Sequence, residues 1–489
     1  MIQSPRALAL VAPYLFACSS PSLPETFRFG TAIAGFQVEM GCPTIAAEVC
    51  EDRGSDWYEF VTSTVTRARD GNFITGGPPS TGPGYYELYE SDIGRAKDLG
   101  MDIFRFGFEW SRIFPGATFG LTGPDLKAAA SPDALAYYHE QLDALKTVGL
   151  TPLATVNHYT LPAWIHDAVG CNTSLDRCTR RGWLDPRIVE ELAKFAGFLG
   201  QEFGSDIELW ATQNEPMAVV LPGFMQPTKT RSNPPSVSFR FQEAKEVMLR
   251  MILAHARMYD AIHATDAEAR VGIVYAVAPV HPADPSSTID QLGATNVDYL
   301  FNRVFLDAVA LGRSDPELDG TAVTDEELTG RMDWLGVNYY TRIVVRGSAE
   351  AAFPELSPLS TFDPLSLQQG EIYPEGLYEA LTTTHARYPT QALIVTENGA
   401  DSKSTDSVVF LDSHLKSLIR AIDEGEVPVE AYLWWSLIDN YEWNLGMQMR
   451  FGLFGVEPED PTKARVKKPV AARYSELAAG LRDGSLELY

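Results

Sequence analysis

Residues 131–158 read SPDALAYYHEQLDALKTVGLTPLATVNH and contain one complete structural unit. Ser131 is placed to cap a helix and Pro132 falls in its first turn, where a missing N–H leaves no hydrogen bond unmade. Leu135, Tyr138, Leu142 and Leu145 follow at helical spacing on one apolar face, and Gly149 ends the helix. Residues 151–158 then form an apolar strand that finishes in Asn157 and His158. The order repeats downstream. Asp185-Pro186 opens a helix carrying Leu192, Phe195, Leu199 and Phe203, Gly204 closes it, and residues 207–215 read as a strand with a polar end.

Outward from these two units, strand candidates ending in polar or aromatic residues recur near residues 27–32, 102–109, 152–158, 208–215, 271–277, 333–340, 392–397 and 430–436. Eight strand–helix repeats predict an α/β chain folded as a single (β/α)8 TIM barrel. A doubly wound open sheet also alternates, but it gives no reason for eight similar units and usually carries a Gly-rich phosphate turn. None of the Walker, G-x-G-x-x-G, H-E-x-x-H or G-x-S-x-G patterns occurs. No linker or low-complexity tract divides residues 27–489, the expected barrel domain, which a short linker at residues 18–26 precedes. Polar residues at the C-terminal strand ends gather at one mouth of such a barrel. His158, Asn214, Glu215, Asn338, Tyr340, Glu397, Trp435 and Glu442 are thereby expected together.

The 489 residues are 45% hydrophobic and 21% charged, an ordinary globular balance, with a formal net charge of −26. A surface that acidic repels phosphate backbones and excludes a nucleic-acid partner. No run of 18 apolar residues is present, so no spanning helix is expected.

At the N-terminus Arg6 precedes an apolar stretch over residues 7–17, which suits a secretory signal peptide. Residues 15–18, LFAC, resemble a bacterial lipobox with Cys18 as the lipid-bearing residue, although Phe16 departs from the usual residue there. The expectation is export, to the periplasm, the cell surface or the medium, with membrane attachment through Cys18. If the stretch is an ordinary packed helix, the location is cytoplasmic. The remaining cysteines fall into local pairs, Cys42 with Cys50 and Cys171 with Cys178, either two disulfides suited to an oxidising compartment or four separate thiols.

Glu215 and Glu397 each end an apolar run, an expensive place for a charge unless it is paired or used. As ends of the fourth and seventh strands they would face each other across the mouth, and a facing carboxylate pair is the apparatus of glycoside hydrolysis. Each alone could equally bridge to a neighbouring loop.

Nine segments, in order, carry a resemblance over residues 27–475: AGFQVEMG (34–41), GPGYYELY (82–89), EWSRIFP (109–115), NHYTLPAW (157–164), TQNEPM (212–217), DWLGVNYYT (333–341), YPEGLYEAL (373–381), VTENGAD (395–401) and WWSLIDNYEW (434–443). The chain resembles family 1 glycoside hydrolases, the β-glucosidase and β-galactosidase family, and most of all its archaeal β-glycosidase branch. The resemblance implies a retaining exo-acting β-glycosidase for neutral glucosyl, galactosyl or fucosyl residues, with Glu397 as nucleophile, Glu215 as acid/base, and no metal or organic cofactor. It places Arg105, Asn338 and Tyr340 in support of the carboxylates, Arg105 and Tyr340 donating to Glu397 and favouring its charged form. It places Gln37, His158, Asn214, Trp435, Glu442, Trp443 and Phe451 around the sugar, with Trp435 as the stacking surface. Glu215 is expected to begin protonated because a like charge lies close by.

Branches of the family that accept 6-phosphorylated sugars carry a Ser-containing pattern near the Glu442 position. A carboxylate there implies a neutral sugar. Met217 and Tyr159 depart from the family pattern, and as rim residues they are expected to bear on substrate preference rather than on chemistry. A transglycosylase shares every catalytic residue, and a non-catalytic glycan-binding protein on the same barrel is the reading that both glutamates oppose.

Overall fold

Eight parallel strands close on themselves in the computed structural model, which describes residues 23–69, 73–486 and 488. They are β1 (Arg28–Ala32), β2 (Ile103–Gly107), β3 (Thr151–Asn157), β4 (Leu209–Asn214), β5 (Arg270–Ala276), β6 (Trp334–Asn338), β7 (Ala392–Asn398) and β8 (Val429–Trp435). Every strand pairs with the next, and β8 returns to β1 with Arg28 opposite Ala431 and Ala32 opposite Trp435. All eight expected segments agree with the observed strands to within two residues at either end. One long helix follows each strand: α1 (Tyr85–Asp98), α2 (Pro132–Val148), α3 (Ile188–Phe203), α4 (Phe241–His263), α5 (Val304–Leu311), α6 (Glu375–Arg387), α7 (Ser407–Asp423) and α8 (Pro469–Asp483).

The capping residues of α2 act as the sequence requires. The Ser131 hydroxyl accepts from the Ala134 N–H, and Gly149 turns the chain at φ 71°. The start of α3 differs from expectation. The Asp185 carboxylate accepts the Arg187 N–H at 2.9 Å and the Arg187 guanidinium as well. That side-chain turn occupies the backbone, so the helix begins at Ile188 instead of at Pro186.

Inside the barrel, Ile103, Leu153, Leu209, Val274, Trp334, Ile394 and Leu433, from seven strands, form one buried cluster. Their neighbours Phe104, Trp210, Leu335, Leu393 and Trp434 point outward into the layer shared with the helices. The Trp334 indole fits because Gly272 on β5 has no side chain; a Cβ there would stand 2.7 Å from its ring. Each fully buried Leu contributes about 1.5–3 kcal/mol, so this filled floor holds the mouth in place.

Cys42 is bonded to Cys50 and Cys171 to Cys178. The expected signal segment, residues 1–17, and Cys18 lie outside the described residues. Among those described, no helix is long and apolar enough to cross a membrane.

Candidate active site

Along β4 the side chains alternate as far as Ala211, with Leu209 and Ala211 inside and Trp210 outside. Thr212 and Gln213 then both face α4. The Thr212 hydroxyl bonds His255 Nδ1 at 2.7 Å, and Gln213 Nε2 donates to the Met251 carbonyl at 2.7 Å. The register against β5 slips between Ala211 and Asn214, a bulge that brings Asn214 back inside. Strand β7 uses the same device. Thr396 and Glu397 are consecutive yet both reach inward, and the register slips beyond Val395 against both neighbours. The Thr396 hydroxyl donates to Asn338 Oδ1 at 2.7 Å. Gly336 makes room for it, since a Cβ there would lie 2.9 Å from Thr396.

The two glutamates end a single buried relay. Arg105 donates to Glu397 Oε1 at 2.6 Å and to Asn214 Oδ1 at 2.7 Å, and its Nε reaches Thr155 Oγ1 at 3.1 Å. Asn338 Nδ2 donates to the same Asn214 oxygen at 3.3 Å and to Glu215 Oε1 at 2.8 Å. The Tyr340 hydroxyl donates to Glu397 Oε2 at 2.8 Å. Arg105 is fully buried, Glu215 is 6% exposed and Glu397 4%.

Burial pushes the Glu397 carboxyl up to about 7 against the pull of Arg105, and the Glu215 charge adds to the rise. Arg105 and Tyr340 favour its charged form, as expected from the sequence, but desolvation by burial outweighs them. Burial and the Glu397 charge raise the Tyr340 phenol well above its ordinary value, so it remains a hydroxyl donor. Burial and then the Arg105 charge hold His158 well below the usual histidine range, as a neutral ring.

The expected sugar shell is brought together beside this relay. Gln37 Nε2 and Asn440 Nδ2 donate to Glu442 Oε2 at 3.0 and 2.9 Å. The His158 ring lies parallel to Trp435 and Trp443, with centroids 6.0 and 5.9 Å away, and its Nε2 meets Asn214 Nδ2 at 3.2 Å. Phe451 packs against Trp435, 6.3 Å from the Tyr340 ring. Gln37 Oε1 and His158 Nδ1 are buried without a hydrogen-bond partner among the described residues. Tyr159, Glu215 and Trp443 all hold left-handed backbone, at φ 71°, 42° and 50°. Such strain in non-glycine residues persists only where surrounding structure enforces it.

Two residues were missed or misjudged from sequence. Tyr159 is 7% exposed, and its hydroxyl donates directly to Glu215 Oε2, so this departure from the family pattern touches the chemistry. The signal was one phenolic oxygen on an otherwise ordinary aromatic position. Asn440 lay in plain view inside WWSLIDNYEW but carried no charge or ring to mark it. Met217 is 6% exposed and belongs to the same buried cluster as Tyr159. Among the described residues no group of His, Cys, Asp and Glu is arranged to hold a metal ion.

The family model described as Glycosyl hydrolase family 1 matches residues 19–481. The chain belongs to glycosyl hydrolase family 1. It is an O-glycosyl hydrolase with the β-glycosidase activity of this family, on the family's TIM barrel. A β-galactosidase of Pyrococcus woesei is 35% identical over 484 residues, covering 88% of this chain and 92% of the relative. The crystal structure of a β-glycosidase from Thermosphaera aggregans has a TM-score of 0.79 at 30% identity, over 95% of this chain and 100% of that one. A rice β-glucosidase mutant, solved in a covalent complex with glucose, has a TM-score of 0.76 at 25% identity over 93% of this chain and 98% of that one.

Proposed function

We propose that the protein is a retaining exo-β-glycosidase that removes terminal neutral β-D-glucosyl, galactosyl or fucosyl residues, with Glu397 as nucleophile and Glu215 as acid/base. The observation that carries this reading is the relay Glu397–Arg105–Asn214–Asn338–Glu215, with two buried carboxylates at its ends and the sugar shell beside it. Glu397 Oε2 or Oε1 attacks the anomeric carbon as Glu215 passes its proton to the departing oxygen, and the sugar becomes an ester on Glu397. The esterified carboxyl carries no charge, so Glu215 no longer faces a like charge. Glu215 then takes a proton from water, whose oxygen attacks the anomeric carbon and releases Glu397. Two inversions give net retention. The covalent glucose complex of the rice relative supports a double displacement. Asn214 stands where it can hold the 2-hydroxyl, and Trp435 offers the stacking face.

Because Glu397 titrates near 7 and must be ionised to attack, kcat/KM in the free enzyme should rise with pH through about 7. A panel of 4-nitrophenyl β-D-glycosides tests the class, and turnover of α-linked glycosides alone would overturn it. Glu397→Ala with added azide tests the roles: the expected product is the inverted glycosyl azide, and a retained product would reassign the nucleophile.

Export with a lipid on Cys18 forms part of the same proposal, supported by two disulfides that suit an oxidising compartment. Labelling with a palmitate analogue should be lost in Cys18→Ala; label that persists would refute attachment there.

A further inference from the structure

Between β4 and α4 the chain runs without regular structure through residues 226–240, on the side of the barrel where the glutamates lie. Thr228 and Arg231 close a turn, the Thr228 N–H donating to the Arg231 carbonyl at 2.8 Å and the Arg231 N–H to Thr228 Oγ1 at 3.0 Å. Asn444, two residues after Glu442, fixes this turn to the sugar shell. Its Oδ1 accepts the Ser232 N–H at 3.2 Å and its Nδ2 donates to the Lys229 carbonyl at 2.9 Å. On the far side Asn172, next to the bonded Cys171, donates to the carbonyls of Pro235 and Ser236 at 2.8 and 3.3 Å. Ser232, Asn233 and Ser236 are buried, yet Arg231 is exposed.

The Arg231 charge acts on Glu215, Tyr159, Glu442 and Tyr340, residues that follow four different strands. Asn444 holds the backbone beside Arg231 to the sugar shell and the Arg231 side chain is exposed, so the cation stands on the solvent side of these four residues. Among the described residues its guanidinium makes no ion pair and no hydrogen bond, whereas Arg105 below is fully engaged. Gln37 and His158 are buried while Arg231 is exposed, so the cation lies toward solvent, the side on which the departing group leaves. A fixed backbone beneath an unpaired guanidinium is a built donor for a carboxylate.

We propose that Arg231 is the specificity residue of a leaving-group subsite and recognises a carboxylate carried by the aglycone or by the second sugar. The proposal rests on the β-glycosidase reading above and extends it to the outer half of the substrate. The glycone stays neutral against Glu442, and the negative charge is tolerated only on the side of the scissile bond that Arg231 overlooks.

The test compares 4-carboxyphenyl β-D-glucoside with its neutral carboxamide, using the galactoside pair if that glycone is the better one. The wild type should favour the carboxylate in kcat/KM by about fivefold at low salt, the scale of an exposed charge pair, and lose the preference in strong salt. Arg231→Met should bring the ratio to about one, Arg231→Glu should invert it and Arg231→Lys should keep part of it, with melting temperatures unchanged. A ratio that survives Arg231→Met, or a wild type that favours the amide, overturns the proposal. So does turnover of 4-nitrophenyl β-D-glucuronide that depends on Arg231, since the cation would then serve the glycone. If 4-nitrophenyl β-glycosides are cleaved while the carboxylate preference is missing, only the Arg231 assignment falls. If none is cleaved, the glycosidase reading falls with it.

Discussion

The floor and the mouth of the barrel are made from the same eight strands under opposite rules. At the floor apolar side chains fill the interior and the strands largely alternate, with one slip where β7 meets β8 between Leu393 and Ile394. At the mouth the alternation breaks on β4 and again on β7, a step or two before each catalytic candidate. The bulges let consecutive residues such as Thr396 and Glu397 share the interior, which a regular strand forbids. Stability is concentrated where the pattern holds, and chemistry where it fails.

Substitutions in the two regions should therefore separate cleanly. Glu397→Gln should cost about 10⁴-fold or more in kcat and leave the unfolding midpoint in urea at or above that of the wild type. A collapse in stability would make this carboxylate a structural group. Leu209→Ala should do the reverse, losing about 2–5 kcal/mol in urea unfolding while kcat per folded molecule stays within about twofold. A large loss of kcat there would mean that the floor does not hold the mouth independently.

Tyr159→Phe should have a smaller and more selective effect. Cleavage of a phenyl glycoside, whose leaving group needs a proton, should fall about tenfold in kcat/KM, and that of a 2,4-dinitrophenyl glycoside less than about twofold. Equal losses would make Tyr159 a packing residue. The mildest effect concerns pH. Glu397 titrates at about 7 in the folded chain against an ordinary 4.5, so the folded state holds more protons between those values. Its contribution to stability is complete below about pH 4.5 and is lost as pH rises through about 7. The melting temperature of Glu397→Gln minus that of the wild type should accordingly grow from about pH 5 to pH 8, and a flat difference would deny the raised carboxyl.

Much of this was legible in the chain. Strand ends were readable because an apolar run that stops at Asn157-His158 or Asn214-Glu215 has few other uses, and the helix caps at Ser131 and Gly149 follow local chemistry. The bulges were not legible, since Thr212 and Gln213 look like any polar strand end until His255 and the Met251 carbonyl on α4 claim them. The net rise at Glu397 was not legible for a related reason. Its donors are written in the sequence, but the depth at which they meet it depends on long-range packing. Arg231 sat in a segment with no pattern at all, and only its anchors at Asn444 and Asn172 give it a position.

One oxygen of Asn214 accepts from both Arg105 and Asn338, while its amide meets His158. Any change to one member of that knot alters what the others can gain. Double-mutant cycles among Arg105, Asn214 and Asn338 should return coupling energies comparable to the single effects, and the separate losses, added up, should exceed the catalytic advantage they jointly create.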